Sequence, residues 1–265
     1  MTTEPSRRES EAQLRFLTAL PVYNEVRHVT HVLDEVVRNA QDVLVVDDGS
    51  TDGTRELLAS RRDITVISHP ENRGYGAALT TAFEYAQREK YDVIITIDCD
   101  GQHEPQRIPR FAAACQGVDI VSGSRYLKQY PGDSQPPAQR LWVNQRVTAE
   151  LNRRLGYNLT DAFCGFKAYR VEALKKLTIT ESGYAMPLEL WVQAAFHGLR
   201  IRELPVPLIY LDEKRSFGGA LDDAARRLTY YHSVVDKALK ACVGSAPSTG
   251  LPASFPCAEH FQGCS

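Results

Sequence analysis

No stretch of this chain is apolar for long enough to span a bilayer. The amino-terminal run MTTEPSRRESEAQ also lacks the apolar centre of a signal peptide. The expected location is therefore the cytoplasm, at most peripheral to a membrane. No C-x-x-C pair or zinc-type spacing occurs among the cysteines at 99, 115, 164, 242, 257 and 264, so reduced thiols are expected rather than a disulfide framework or a zinc site. No G-x-G-x-x-G follows the first strand, which argues against a nicotinamide or flavin enzyme, and no G-K-[ST] is present to make a P-loop. Nor is there an excess of positive charge: 31 Lys and Arg against 33 Asp and Glu give a net charge of −2, leaving no global field to recruit nucleic acid. Internal repeats are absent as well.

What remains is an ordinary globular composition, 43% hydrophobic and 24% charged, in 265 residues. Residues 1–13 read as a flexible arm, 14–241 as a single domain, and 242–265 as a disordered tail, low in regular pattern. Within the domain, strand-like runs at 14–20, 43–48, 64–69, 93–98 and 118–124 alternate with helical patterns at 26–40, 54–62, 76–89 and 105–116. In the first helix Val26, Val29, Leu33 and Val36–Val37 share one face. Such alternation predicts an α/β fold, a Rossmann-like, mostly parallel sheet with helices on both faces. Continuous apolar strands fit burial on both sides. Beyond Tyr126 the rhythm breaks into a Pro-rich irregular stretch to 140. Helices follow at about 141–155, 187–200 and 221–241, with a strand-like run at 201–210.

The richest segment is VIITIDCDGQ, residues 93–102. A buried strand ending in Asp98 and Asp100, with Gln102 two residues on, gathers hard oxygen donors at one strand tip. Such donors suit Mg²⁺ or Mn²⁺ bridging substrate phosphates, and ligands of α/β sheets bind beyond the carboxyl ends of the strands. A solvated acidic turn is the competing reading. Cys99 points its side chain away from both acids and reads as core.

Three further motifs end in loops on the same sheet. In ALPVYNE (19–25), Asn24 and Glu25 are placed to cap the next helix, while Tyr23 and Glu25 suit contact with a nucleotide. In VVDDGSTDGT (45–54), a carboxylate at the strand tip suits a ribose hydroxyl or base N–H, and turn chemistry alone also accounts for it. The acids ending strands two and four are expected on neighbouring strands. In NRGYG (72–76), glycines before a helix allow backbone N–H groups to approach an anion beside Arg73; equally, they allow tight turning and close packing.

PVYNE (21–25), DDGSTDGT (47–54), NRGYG (72–76), DCDGQHEP (98–105), GSRY (123–126), DAFCGFKAY (161–169), the helix containing Glu189, and RSFGG (215–219) occur in this order. Together they resemble the family 2 glycosyltransferases of GT-A fold, and more closely the polyprenol- and dolichyl-phosphate mannose synthases, over roughly residues 14–240. The resemblance implies a metal-dependent, inverting transfer of a hexose, mannose first, from a nucleotide diphosphate sugar to a polyprenyl phosphate. It implies that Pro21, Tyr23, Glu25, Val46 and Asp48 line the base and ribose. It further implies that Asp98, Asp100 and Gln102 hold Mg²⁺ or Mn²⁺, with Cys99 inside the nucleotide-sugar stretch. Arg125 would face the sugar or diphosphate, and Arg215 the phosphate near the acceptor; a surface arginine paired with Asp212 or Glu213 is the plainer reading of Arg215. Asp161 would orient acceptor or sugar hydroxyls, or cap a helix.

Two departures stand out. Gly219-Ala220 occupies the place of a Ser-Lys pair, and Cys164 that of a serine. The expected partners are GDP-mannose or a UDP-hexose, a polyprenyl phosphate, and no nucleic acid. Membrane contact is expected through the helix at 221–241, with Arg226, Arg227, Tyr230, Tyr231, Lys237 and Lys240. Alternatives are a UDP-sugar transferase with a soluble or protein-linked acceptor, a nucleotide-sugar-binding protein without catalysis, and a nucleotidyltransferase. The last lacks its Gly-rich basic loop.

Overall fold

A computed structural model describes residues 14–211 and 219–245. The arm at 1–13, most of the tail, and Arg215 with its neighbours Asp212 and Glu213 therefore lie outside the described residues. Seven strands form one sheet: β1 (Phe16–Val22), β2 (Asp42–Asp47), β3 (Thr65–Ser68), β4 (Val93–Thr96), β5 (Ile120–Ser124), β6 (Lys167–Arg170) and β7 (Ile201–Pro205). Their order is β3-β2-β1-β4-β6-β5-β7. Eight α-helices are described: α1 (Val29–Asn39), α2 (Thr54–Ser60), α3 (Tyr75–Arg88), α4 (Ile108–Ala114), α5 (Ala138–Leu155), α6 (Val171–Leu174), α7 (Met186–Phe196) and α8 (Ala224–Gly244).

The apolar strands divide their side chains between two cores. Leu17, Ala19, Leu44, Val46 and Ile94 pack with residues of α3, α5, α7 and α8 on one face. Phe16, Leu20, Val43, Val45 and Ile95 pack with α1 and α4 on the other. Period-two alternation thus buries both faces, which is why the strands read as unbroken apolar runs. On α1, Val29, Val32, Leu33 and Val36 are buried; Val26 is exposed, because the helix starts only at Val29.

One expectation needs correction: the acid turns are not on neighbouring strands, since β1 pairs with β2 on one side and β4 on the other. Beyond β4 the GFKAY segment inserts as β6, antiparallel to both β4 and β5. Four residues with a charge at each end gave β6 no strand-like signature.

β1 extends to Val22, through Pro21. Pairing with β4 stops at Ala19–Thr96, and Ala19 accepts from the Ile97 N–H on that side. Alternation puts the missing N–H of Pro21 on the side β4 has left, so no ladder bond is lost. The chain can therefore leave the sheet with its backbone satisfied, and the loops after β1, β2 and β4 open on one edge.

Candidate active site

At that edge lies a cavity of about 300 Å³. Pro21, Tyr23 and Glu25 reach it from the end of β1, and Asp48 from β2. Asp98, Cys99, Asp100 and Gln102 reach it from the turn after β4, and Arg125 from the end of β5. Val46 does not reach it. Its side chain is fully buried in the core beneath the sheet, because alternation along β2 turns it to the face covered by α3. Cys99 is likewise core by its side chain, while its position borders the cavity.

The loop after β1 is tied to the loop after β2. Asn24, at φ 55°, accepts from the Thr51 N–H and donates its own N–H to Ser50 Oγ; the Glu25 N–H donates to Thr54 Oγ1. Asn24 therefore fixes the spacing of two loops and does not cap α1, whose first residues bond to the Glu25 carbonyl. Asp47 points away from the cavity and accepts from Ser50 N–H and Arg55 Nε. Burial alone would raise its pKa, but these hydrogen bonds hold it below the usual carboxylate range.

Asp48 is buried and accepts from three protein donors. Its Oδ1 takes the Arg73 N–H at 2.9 Å and sits 2.6 Å from His69 Nδ1; its Oδ2 takes the Gly74 N–H at 2.8 Å. The anion at the start of α3 is thus the protein's own side chain. Further along, the Ala77 N–H donates to the Ser182 carbonyl. A Cβ on Gly74 or Gly76 would lie 2.4 Å or 2.3 Å from the carbonyl oxygens of Ser182 and Glu181. Of the two readings of NRGYG, close packing is the one the geometry displays.

That packing reaches the acid turn. Glu189 of α7 accepts from Thr180 N–H, Thr180 Oγ1 and Glu181 N–H, fixing the segment that precedes α7. Its Tyr184 stacks on Tyr75, with centroids 5.9 Å apart, and the Tyr75 hydroxyl donates to Asp98 Oδ1 at 3.1 Å. Burial and the neighbouring Asp98 push the Tyr75 pKa well up, so it stays a donor. On the other carboxylate oxygen, His103 Nε2 stands 3.6 Å from Asp98 Oδ2. Gly165 leaves the space Asp98 fills: a Cβ there would meet Asp98 Oδ2 at 2.1 Å. Asp100 Oδ1 accepts from the Gln102 N–H, closing the turn.

Two carboxylates and an amide oxygen facing one cavity are a hard donor set that fits Mg²⁺ or Mn²⁺. Among the described residues no group of three or more His, Cys, Asp and Glu forms a metal cluster. Mg²⁺ is commonly held by one or two carboxylates plus substrate phosphates, so a set completed by substrate fits the chemistry.

Arg125, partly buried at the cavity wall, pairs with the fully buried Asp161. Arg125 Nε donates to Oδ2 at 2.7 Å and Nη2 to Oδ1 at 2.9 Å, and Asn144 Nδ2 donates to Oδ1 at 2.8 Å. Burial would raise the Asp161 pKa, but the Arg125 charge and these hydrogen bonds hold it at about 2. Asp161 caps no helix, and a carboxylate so held is poorly suited to accept a proton.

The sequence reading missed the far wall. Arg140 and Val143 of α5, Phe163, Tyr184, and Arg227 and Tyr231 of α8 all line the cavity. Arg227 and Tyr231 were expected on a membrane-facing surface; instead both are buried, because α8 packs against α7 and α5. Tyr230 is half-buried and bonded to Glu181. Arg227 donates to the Leu221 carbonyl, and burial, with the charge of Arg140, lowers its pKa. Lys167 is also buried, its ammonium on the Cys164 carbonyl. The basic and aromatic character of α8 did not show which of its side chains turn inward.

The family model described as glycosyl transferase family 2 matches residues 18–178. An undecaprenyl-phosphate mannosyltransferase of Micrococcus luteus is 32% identical over 230 residues, 82% of this chain and 93% of the relative. A polyprenol monophosphomannose synthase of Mycolicibacterium smegmatis is 32% identical over 205 residues, 72% of this chain and 76% of the relative. Among solved structures, glucosyl-3-phosphoglycerate synthase of Mycobacterium tuberculosis, in complex with Mn²⁺, UDP and glucosyl-3-phosphoglycerate, superposes with a TM-score of 0.64. Its identity is 20%, over 89% of this chain and 82% of that one. The shared architecture is that of the GT-A glycosyltransferases.

Proposed function

Because this chain belongs to glycosyl transferase family 2 and is a mannosyltransferase-like glycosyltransferase, we propose that it transfers a hexose, mannose in the first instance, from a nucleotide diphosphate sugar to a polyprenyl phosphate. The observation that carries this reading is the single cavity in which the acid turn of Asp98, Asp100 and Gln102 meets Arg140 and Arg227. One part suits a metal-bridged diphosphate and the other a second anion. Both of the polyprenol-type relatives named above support the choice of acceptor and sugar.

Pro21, Tyr23 and Glu25 would border the nucleoside. Asp48 would serve it by holding the loop of Arg73 and Gly74 in place. A divalent cation held by Asp98, Asp100 and Gln102, when bound, would neutralise the charge gathering on the departing nucleoside diphosphate. Tyr75 and Gly165 would keep Asp98 turned toward the cavity. Arg125, held by Asp161, would present a fixed guanidinium edge to the sugar or diphosphate. Arg215, outside the described residues, would add a phosphate contact near the acceptor.

A phosphate acceptor is already an anion near neutral pH, so attack on the anomeric carbon needs positioning rather than a strong base. Asp161, with its pKa of about 2, fits a reaction without one. In-line displacement inverts the anomeric configuration. Arg140 and Arg227 would hold the acceptor against its repulsion from the diphosphate, beside the rings of Phe163, Tyr184 and Tyr231.

The test is transfer of labelled sugar from GDP-mannose and from UDP-glucose to polyprenyl phosphate in detergent, with Mn²⁺, with Mg²⁺ and with chelator. Labelled lipid made only with metal, lost in Asp100→Ala at unchanged melting temperature, is the expected result. No labelled lipid from any donor, with product appearing on a soluble acceptor instead, would overturn the reading.

A further inference from the structure

Lys167 is 3% exposed, and the reaction outlined above gives it no part. A lysine is rarely taken so far from water unless its ammonium finds partners there. That ammonium donates to the Cys164 carbonyl and stands 5.6 Å from the centre of the Trp191 ring. Directly across the ladder from Lys167 is Thr96, the last residue of β4. Thr96 is buried as well, and its hydroxyl donates to the Gly165 carbonyl at 2.8 Å. Facing residues of an antiparallel pair lie on one side of the sheet. The two side chains therefore grip two consecutive carbonyls of one segment.

That segment, 161–166, is held along its length. Trp191 Nε1 donates to the Ala162 carbonyl at 3.0 Å, and the Gly123 N–H to the Phe166 carbonyl at 2.7 Å. At its start Asp161 holds Arg125. Near its end Gly165 is the surface on which Asp98 lies. A Cβ on Gly165 would stand 2.1 Å from Oδ2, 2.5 Å from Cγ and 2.6 Å from Oδ1 of Asp98, so the whole carboxylate faces the Gly165 backbone. Burial lowers the Lys167 pKa while the charges of Asp161 and Asp98 oppose this, which puts the ammonium within electrostatic reach of both acids.

We propose that Thr96 and Lys167 are positioning residues for the acid turn. By gripping the carbonyls of Gly165 and Cys164 they fix the backbone under Asp98, and with it the direction in which Asp98 meets a divalent cation. This role rests on Asp98 being a ligand of that cation. Both residues act through the peptide joining Cys164 to Gly165. A buried carbonyl deprived of its donor is costly to leave, so the peptide turns toward another partner and the floor beneath Asp98 shifts.

Binding of GDP and of UDP is followed by calorimetry at rising Mn²⁺, well below the melting temperature. Thr96→Val keeps the shape of the side chain without its hydroxyl, Thr96→Ser keeps the hydroxyl, and Lys167→Met removes the ammonium. Val36→Ala, in the core under α1, controls for lost stability alone. Thr96→Val and Lys167→Met should each raise the Mn²⁺ concentration at half-saturation about tenfold, the scale on which residues supporting a metal ligand act. Thr96→Ser should stay near the wild type and Val36→Ala should match it. A wild-type value in Thr96→Val, a Thr96→Ser as weak as Thr96→Val, or an equal rise in Val36→Ala would overturn the proposal. Should Lys167→Met not fold, Thr96→Val decides alone. Asp98→Asn separates the two levels. If it responds to Mn²⁺ as the wild type does, or the wild type shows no Mn²⁺-dependent binding, the cation reading falls and this role with it. Weakened binding in Asp98→Asn beside an unaffected Thr96→Val sinks the positioning role alone.

Discussion

Arg125 and Asp161 meet fork to fork behind the cavity wall, two hydrogen bonds of 2.7 and 2.9 Å joining one guanidinium to one carboxylate. Asp161 is fully buried and Arg125 partly so, and Asn144 and the Phe163 N–H complete the carboxylate's shell. The pair fixes the side chain at the end of β5 that faces the cavity.

Removing one partner leaves a buried charge uncompensated. Asp161→Asn should therefore destabilise the fold by about 3–5 kcal/mol, measured by urea unfolding. The pH dependence has a definite sign. The folded Asp161 pKa of about 2 lies below the ordinary carboxylate value of 3.8, so its stabilisation is complete above pH ~4 and is lost as pH falls toward 2. The loss amounts to about 2 kcal/mol, and Asp161→Asn should flatten that acid limb.

Gly165 tests the placement of Asp98. Alanine there would push a methyl group into the carboxylate, 2.1 Å from Oδ2. We expect Gly165→Ala to lower kcat/KM by about a hundredfold, the scale of a small misplacement at a reacting centre, and to raise the Mn²⁺ concentration needed for half-maximal rate. An unchanged metal titration would count against Asp98 as a ligand.

Gly76 offers a test with an unusual sign. In an ordinary helix Gly→Ala stabilises by about 0.5–1 kcal/mol. Here the added methyl would meet the Glu181 carbonyl at 2.3 Å and Met186 Cβ at 2.8 Å. Gly76→Ala should instead destabilise by about 1–3 kcal/mol, the usual cost of overpacking, read as a lower thermal midpoint.

Asp48→Asn keeps the shape but turns one acceptor oxygen into a donor facing a backbone N–H. Loss of that bond should cost about 1–3 kcal/mol and loosen residues 72–76. Hydrogen exchange at Arg73 and Gly74 should speed up while exchange in β7 stays as it was.

Asp48, Asp98, Asp100 and Gln102 were legible at one edge, because a continuous apolar run followed by acids marks a buried strand leaving its sheet. It failed where two chemistries share one pattern. Glycines before a helix serve an incoming anion or a close neighbour equally well, and only the Ser182 carbonyl over Gly74 separates them. Asp161 looked like a group for hydroxyls because nothing in its own segment announces Arg125, thirty-six residues earlier. Val46 was named from the resemblance alone, and its side chain lies in the core beneath the sheet. Arg140, Arg227 and Tyr231 were invisible as a wall, since which face of α5 or α8 turns inward depends on helices far away in sequence.

One strand, β1, separates the two acid-bearing turns, so Asp48 and Asp98 stand two strand spacings apart, roughly 10 Å. The sheet thereby acts as a fixed ruler, with hydrogen bonds across β2, β1 and β4 as its graduations. On the proposed reading the donor would run from the loop that Asp48 holds to the acid turn, so its length would have to match this interval. Such a match would rest on backbone pairing and would survive wide exchange of the side chains that line the gap.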